Sequence, residues 1–234
     1  MKRSIALTAV IALIVSLGVS WPAKANGNPQ LLTGILQKME KAHMDLKSLK
    51  AVIMQQKVNV QINVKDTDQG TILYKPAAGN EKGKIRIDYT KPDTRVVSVV
   101  GNNFVFYQPR INQVVKTTLQ QASKGKTGGY TSIIGLDGSV KNLARNYNIE
   151  YVREETIGSE ATTQLHLTPK NGGSLQSVEI WVSNRSWLPV QQKFVEKNGD
   201  YTIVKLTNLE PNLKLSDDAF IVKYPNSTVV VDKI

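Results

Sequence analysis

The stretch 70–119 constrains the fold more than any other part of the sequence. It contains five short β-type runs separated only by turn residues, and consecutive runs joined by short turns pair as antiparallel neighbours. Apolar and polar side chains alternate within it, as at Ile85, Ile87 and Tyr89, so one face of the sheet is apolar. We therefore expect a single curved antiparallel sheet whose apolar face is covered by another part of the chain.

Two segments are suited to cover that face. Residues 29–49 predict an amphipathic helix, because Asn28 can cap a helix that starts at Pro29 and apolar residues then recur every three or four positions. Residues 123–147 combine many glycines with apolar side chains that need burial, which favours a helical lid with a closed and an open position. An ordinary loop with a short packed helix is the alternative for this segment. A helix and a lid on one side of a curved sheet would enclose an apolar cavity.

The β pattern continues on both sides of the central stretch. An alternating run from Val58 to Val64 predicts a first strand that ends at a turn over 66–70. After residue 147, five more runs are separated by Gly- and Asn-rich turns, and a last strand is expected near 221–224. With about eleven strands and no linker of distinct composition, the expected fold is mainly β with a few helices, a single incomplete β-barrel.

The first 25 residues match a secretory signal peptide. Lys2 and Arg3 precede an apolar core, and Ala23-Lys24-Ala25 forms a small-residue cleavage site. We expect cleavage after Ala25, which leaves residues 26–234 as the exported domain.

Composition argues against several classes of function. The sequence has no cysteine, so it offers no residue for lipid modification, disulfide formation or thiolate metal ligation. Its two histidines, His43 and His166, lack neighbouring carboxylates at metal-ligand spacing, and no catalytic motif of a hydrolase or metalloprotease occurs. We expect no enzyme activity, no metal and no cofactor.

Basic residues are in excess. Removing Lys2, Arg3 and Lys24 from the 30 basic residues leaves 27 against 19 acidic ones, a net charge of +8. An acidic partner or a membrane surface would fit this excess, but the charges are scattered along alternating strand positions, as on an ordinary solvated face. Since no nucleic-acid motif occurs, we expect no nucleic-acid partner.

Several motifs follow one another along the chain in a characteristic order and spacing. They are Leu46-Lys47-Ser48-Leu49, Tyr74-Lys75-Pro76, the run 85–93 (IRIDYTKPD), the run 99–109 (VVGNNFVFYQP), the run 165–170 (LHLTPK), and Ala219-Phe220 followed by Tyr224-Pro225. Together they resemble the LolA-type outer-membrane lipoprotein carrier proteins, and the similarity covers nearly all of the chain after the signal peptide.

This resemblance implies an incomplete barrel with helices that line or cover an apolar cavity. Such carriers accept acylated lipoproteins from an ABC transporter in the inner membrane and carry them across the periplasm. They then release their cargo to an acceptor at the outer membrane. The resemblance therefore implies these partners and a periplasmic location, and we expect the protein to act as a monomer.

The apolar face and the candidate lid supply the expected ligand contacts. The candidate residues for an acyl-chain cavity are Ile85, Ile87, Tyr89, Val97, Phe104 and Phe106 on the sheet, and Ile133, Ile134 and Leu136 on the lid. A filled core is the alternative for these side chains. The resemblance also implies a lid latch at Lys75, where family members usually have arginine. Lysine lacks the planar fork of arginine, so we expect a weaker latch.

Two other functions remain open. A carrier of free lipids or glycolipids would share the fold and the cavity, because both kinds of cargo need only apolar walls. A sensor or binding domain of the same fold would recognise a lipoprotein or peptide without transporting it.

Overall fold

The computed structural model describes residues 29–124 and 139–231, most of which belong to one sheet of twelve strands. The helices are α1 (Pro29–Asp45), α2 (Leu119–Lys124) and α3 (Val140–Asn146). The strands are β1 (Leu49–Asn59), β2 (Val64–Lys75), β3 (Lys84–Lys91), β4 (Arg95–Val100), β5 (Asn103–Gln108), β6 (Gln113–Thr118), β7 (Tyr147–Ile157), β8 (Glu160–Pro169), β9 (Leu175–Ser183), β10 (Pro189–Glu196), β11 (Tyr201–Pro211) and β12 (Val229–Val231).

The strand order is β12-β6-β5-β4-β3-β2-β1-β11-β10-β9-β8-β7. Neighbours from β6 to β7 in this order are antiparallel, and β1 joins the two halves of the sheet by pairing with both β2 and β11. Only the short β12 is parallel to its neighbour, β6. The two edges, β12 and β7, do not pair with each other, so the sheet is curved but unclosed. The prediction of an incomplete barrel is confirmed.

Helix α1 covers one face of this sheet, here called the inner face. Its residues Ile35 and Met39 are buried in one core cluster with Ile85, Ile87 and other inner side chains of the strands. The helix ends at Asp45 rather than at residue 49 as expected. The chain leaves the helix before Lys47, whose backbone N–H donates to the side-chain oxygen of Asn212 at 2.7 Å instead of to a helix carbonyl.

The first hairpin turns earlier than the sequence predicts. Residues 60–63 form the turn, where Asn59 accepts a hydrogen bond from the N–H of Ile62 at 3.1 Å and Asn63 adopts a left-handed φ of 51°. The expected turn at 66–70 is wrong, because those residues belong to β2. Gly70 serves a different purpose, since a Cβ there would lie 2.2 Å from the carbonyl oxygen of Asp88 on β3. This glycine allows two strands to approach closely.

The expected strand at 221–224 is also wrong. Residues 212–228, here called the C-terminal strap, instead run along the outer face of the sheet and lead into β12. Side chains of the sheet hold the strap: the Ser98 hydroxyl donates to the carbonyl of Phe220 at 2.6 Å, and Arg86 donates to the carbonyl of Ile221 at 2.8 Å. Because these carbonyls bond to side chains, they do not form a strand ladder.

Charged groups anchor the start of the strap. The Asp217 carboxylate lies 2.6 Å from the Lys84 ammonium and 3.2 Å from that of Lys75. Hydrogen bonds from Lys84 and then Lys75 hold the pKa of Asp217 below its usual range. The strap is therefore attached to the outer face by polar bonds together with the buried side chain of Phe220, whereas the inner face is covered by the apolar side of α1.

A polar cluster occupies one end of the inner face. The Tyr89 hydroxyl donates to the side-chain oxygen of Gln55 at 2.8 Å, and both residues are fully buried. Arg95 forms an ion pair with Asp68, and its guanidinium carbon lies 5.3 Å from the centre of the Tyr89 ring. Burial, the dominant effect, lowers the pKa of the neighbouring Lys57. The inner face is thus apolar along most of the sheet and polar at this end.

Removing one partner of the buried ion pair should be costly. Arg95→Ala leaves the buried carboxylate of Asp68 without its cation, and we expect the free energy of unfolding to fall by about 3 kcal/mol. Arg110→Ala is the matched control, because its pair with Asp93 is largely exposed and is worth about 1 kcal/mol or less. Urea unfolding of both variants measures the difference, and equal losses would contradict a buried role for Arg95.

Candidate functional site

An apolar pocket lies between the end of α1 and the inner face of the sheet. Its lining residues are Met39, His43, Leu46, Leu49, Ile72, Tyr74, Trp187, Leu188, Pro189 and Leu206. The volume is about 30 Å³, which is about the volume of one water molecule. At this volume the pocket is too small to hold a ligand of lipid size.

Helix α1, strand β2 and the loop between β9 and β10 supply most of the lining residues. Met39 and His43 are four residues apart on α1 and therefore lie on the same face of the helix. Ile72 and Tyr74 alternate along β2, so both project onto the inner face. The loop between β9 and β10 supplies Trp187, which packs against the core while remaining partly exposed.

Trp187 closes the pocket beside the helix. The Lys38 ammonium on α1 lies 4.3 Å from the centre of its ring, a cation–π contact that attaches the helix to the loop. The loop is tightly held, since Ser183 accepts the N–H groups of Arg185 and Ser186 through its hydroxyl and that of Trp187 through its carbonyl. Trp187 itself has a left-handed φ of 56°, which is strained for a bulky residue and is typical of functional sites.

The sequence-predicted sheet residues all lie together on the inner face. Their exposed fractions are between 0 and 7%, and all belong to the hydrophobic core; they are Ile85, Ile87, Tyr89, Val97, Phe104 and Phe106. None of the six lines the apolar pocket. Contact between these side chains and a ligand stays a prediction. The predicted lid residues Ile133, Ile134 and Leu136 lie outside the described residues.

Lys75 projects from the face opposite to α1. Its described partners are the carboxylates of Asp217 and Glu81, at 3.2 and 3.6 Å. The hydrogen bond to Asp217 is the main cause that raises the pKa of Lys75. Its role as a lid latch stays a prediction, because the candidate lid falls largely outside the described residues.

Sequence reasoning missed the pocket at Trp187. The turn Asn184-Arg185-Ser186 was recognisable, but nothing in its composition shows that the next residue points towards α1. The helix side of the pocket was partly recognisable, since Met39 and Leu46 belong to the periodic apolar positions. Within residues 29–124 and 139–231, no group of three or more His, Asp or Glu side chains is placed to hold a metal ion. None of the helices described is long and apolar enough to span a membrane.

Helix α1 is also hydrogen-bonded to the start of α3. Glu40 accepts the backbone N–H of Val140 at 2.9 Å, at the start of α3. Val140 and Leu143 of α3 pack against the core beside α1. Movement of α1 would therefore disturb α3 as well.

Comparison with known proteins supports the architecture. A family model described as outer membrane lipoprotein carrier protein LolA matches residues 44–223. An uncharacterized conserved protein from Thermus thermophilus has a similar structure, with a TM-score of 0.56 and 13% identity over 87% of this chain and 100% of that one. Comparison with curated protein sequences gives no match.

MucB is a second structural neighbour. Its crystal structure has a TM-score of 0.53 and 13% identity, and the alignment covers 84% of this chain and 64% of MucB. MucB of Pseudomonas aeruginosa in complex with MucA has a TM-score of 0.50 and 12% identity, covering 82% and 60% of the two chains. At these identities the likeness shows the fold alone.

Removing the Trp187 ring should open the pocket. For Trp187→Gly we expect stronger binding of an apolar fluorescent probe. We also expect the free energy of unfolding to fall by about 2 kcal/mol, because the lost burial outweighs the relief of the left-handed backbone. Asn63→Gly is the control, since it relaxes another left-handed residue far from the pocket. Unchanged probe binding in Trp187→Gly would show that the ring does not close the pocket.

Proposed function

Because this chain belongs to the family of the outer membrane lipoprotein carrier protein LolA, we propose that it is an exported periplasmic carrier of acylated lipoproteins. It binds their acyl chains between α1 and the inner face of the sheet. It receives them from an inner-membrane ABC transporter and releases them at the outer membrane. Residues 1–25 direct export and are removed after Ala25, and residues 26–234 form the carrier.

The apolar pocket is the observation that carries this proposal. Its walls are almost entirely aliphatic and aromatic, and it lies where a helix meets an unclosed sheet. An acyl chain of about 15 methylene groups costs on the order of 12 kcal/mol to expose to water. A carrier therefore needs an apolar enclosure along the whole route between membranes.

The cover of the inner face is suited to opening. Ile35 and Met39 are the buried side chains of α1, and its polar attachments to other elements include the contacts of Lys38 with Trp187 and of Glu40 with Val140. Lifting α1 would expose the inner side chains, including Ile87 and Phe104, as the walls of a longer cavity. In the proposed mechanism, α1 and the candidate lid with Ile133, Ile134 and Leu136 move away together when acyl chains enter.

Native mass spectrometry of residues 26–234, after incubation with membranes that contain a triacylated lipoprotein, tests the proposal. We expect a one-to-one complex that is lost when the same protein is unacylated. Bound phospholipid or glycolipid without lipoprotein would favour a carrier of free lipids. An empty protein would mean that the inner face is a permanently filled core.

The latch at Lys75 has a matched test. Lys75 and Lys84 both bind Asp217, so substituting either one weakens the anchor of the C-terminal strap. If Lys75 also holds the lid, Lys75→Ala should speed release of bound lipoprotein to acceptor membranes several-fold more than Lys84→Ala does. Equal release rates in the two variants would remove the latch and leave Lys75 as a strap anchor.

A further inference from the structure

A second and larger cavity opens beside the apolar pocket. Its volume is about 560 Å³, and it lies between the β7–β8 turn, the β9–β10 loop and the end of β11. Leu188 and Leu206 line both cavities, so the two cavities are neighbours separated by these two side chains. A ligand anchored in a widened apolar pocket would pass beside Leu188 and Leu206 to reach the larger cavity, here called the tether groove.

The lining of the tether groove differs from that of the apolar pocket. Its neutral polar side chains are Ser159, Ser186, Thr207 and Asn208, together with the buried Ser183, whose hydroxyl already donates to Glu160. Apolar side chains such as Ile157, Val190 and Leu209 lie among them. The charged groups nearly balance, because Glu160 lies 3.9 Å from Arg185 and Lys205 adds one cation. A mixed, nearly neutral lining suits a polypeptide better than an anionic lipid headgroup.

The backbone of β11 adds hydrogen-bonding groups to this groove. Its register with β1 passes from Thr207 to Glu210 across a bulge, and Asn208 has a left-handed φ of 51°. On the other side, the register with β10 ends at Lys205, and β10 begins at Pro189, which has no N–H to donate. Bulges of this kind leave peptide groups outside the ladder, so the groove wall presents backbone groups as well as side chains.

We infer that the tether groove binds the polypeptide segment that directly follows the acylated cysteine of a lipoprotein. This inference rests on the proposed function, because it requires the acyl chains to occupy the adjoining pocket. At about 30 Å³ per water molecule, the groove holds the volume of about 19 waters, which fits several amino-acid residues. Anchoring by the acyl chains raises the local concentration of the segment, so a few weak hydrogen bonds suffice.

The cargo contacts therefore divide between two neighbouring sites. The apolar pocket recognises the lipid and supplies most of the binding free energy. The tether groove recognises that a peptide is attached, which a free phospholipid does not offer. This arrangement would let the carrier distinguish lipoproteins from the lipids that surround them in the membrane.

Calorimetry with a series of synthetic ligands tests the inference. The shortest ligand is dipalmitoylglyceryl-cysteine amide, and the others extend the same group by two, four or six serine and glycine residues. We expect affinity for residues 26–234 to increase at least tenfold from the shortest to the longest ligand. Thr207→Trp, which fills the groove from β11, should abolish this gain and leave the affinity for the shortest ligand unchanged.

Matched variants keep the result interpretable. Thr168→Trp changes another exposed strand threonine that lines neither cavity, and it should retain the full gain. Ser159→Trp fills the groove from the opposite wall and replaces Thr207→Trp if that variant does not fold, as judged by circular dichroism.

The outcomes separate the two proposals. If the shortest ligand does not bind, the proposed function fails and the inference fails with it. If the shortest ligand binds but added residues do not change the affinity, only the inference is overturned. The inference is also overturned if phosphatidylglycerol, which carries no peptide, binds at least tenfold more tightly than the shortest ligand and Thr207→Trp abolishes that difference. The groove would then hold an anionic headgroup.

Discussion

The unclosed sheet leaves an apolar inner face that its own strands cannot bury. A barrel solves this problem by closure, but here β12 and β7 remain apart and α1 has to serve as the cover. The need for this cover distinguishes the inner face of the sheet from the outer face. A cover made by a single amphipathic helix excludes water through side chains that any other apolar group can replace. Under the proposed function an acyl chain is such a group, so the covering helix and the cargo would compete for the same surface.

The outer face is covered on a different principle. The C-terminal strap is fixed by directional bonds, which include Ser98 to the carbonyl of Phe220 and Lys84 to the carboxylate of Asp217. A lipid cannot replace these bonds, because it lacks the matching donors and charges. The sheet thus has one face that is closed by specific contacts and one face that is closed by exchangeable contacts. This asymmetry is the reason why the proposed function assigns opening to the inner face.

Sequence patterns predicted the parts of this arrangement that depend on periodicity. Alternation placed Ile85, Ile87 and Tyr89 on one face, and three-to-four spacing placed Met39 on the covering side of α1. Periodicity gives the face of a residue but not its neighbour across space. Gly70 illustrates this limit, because glycine indicates a turn locally while the close approach of Asp88 comes from the pairing of β2 with β3. Trp187 and the strap depend on similarly long-range contacts, so neither could be placed from the sequence.

The small volume of the apolar pocket bears on how such a protein can both hold and release a lipid. If the cavity stood open, the full gain of about 12 kcal/mol per acyl chain would make the complex very slow to dissociate. A filled inner face reduces that gain, because α1 has to leave apolar contacts before the ligand forms equivalent ones. The strained backbone of Trp187 favours binding instead, because movement of its loop on opening relieves that strain. Under the proposed function the net affinity for a lipid would then be a small difference between large free-energy terms, which is what transfer between two membranes requires.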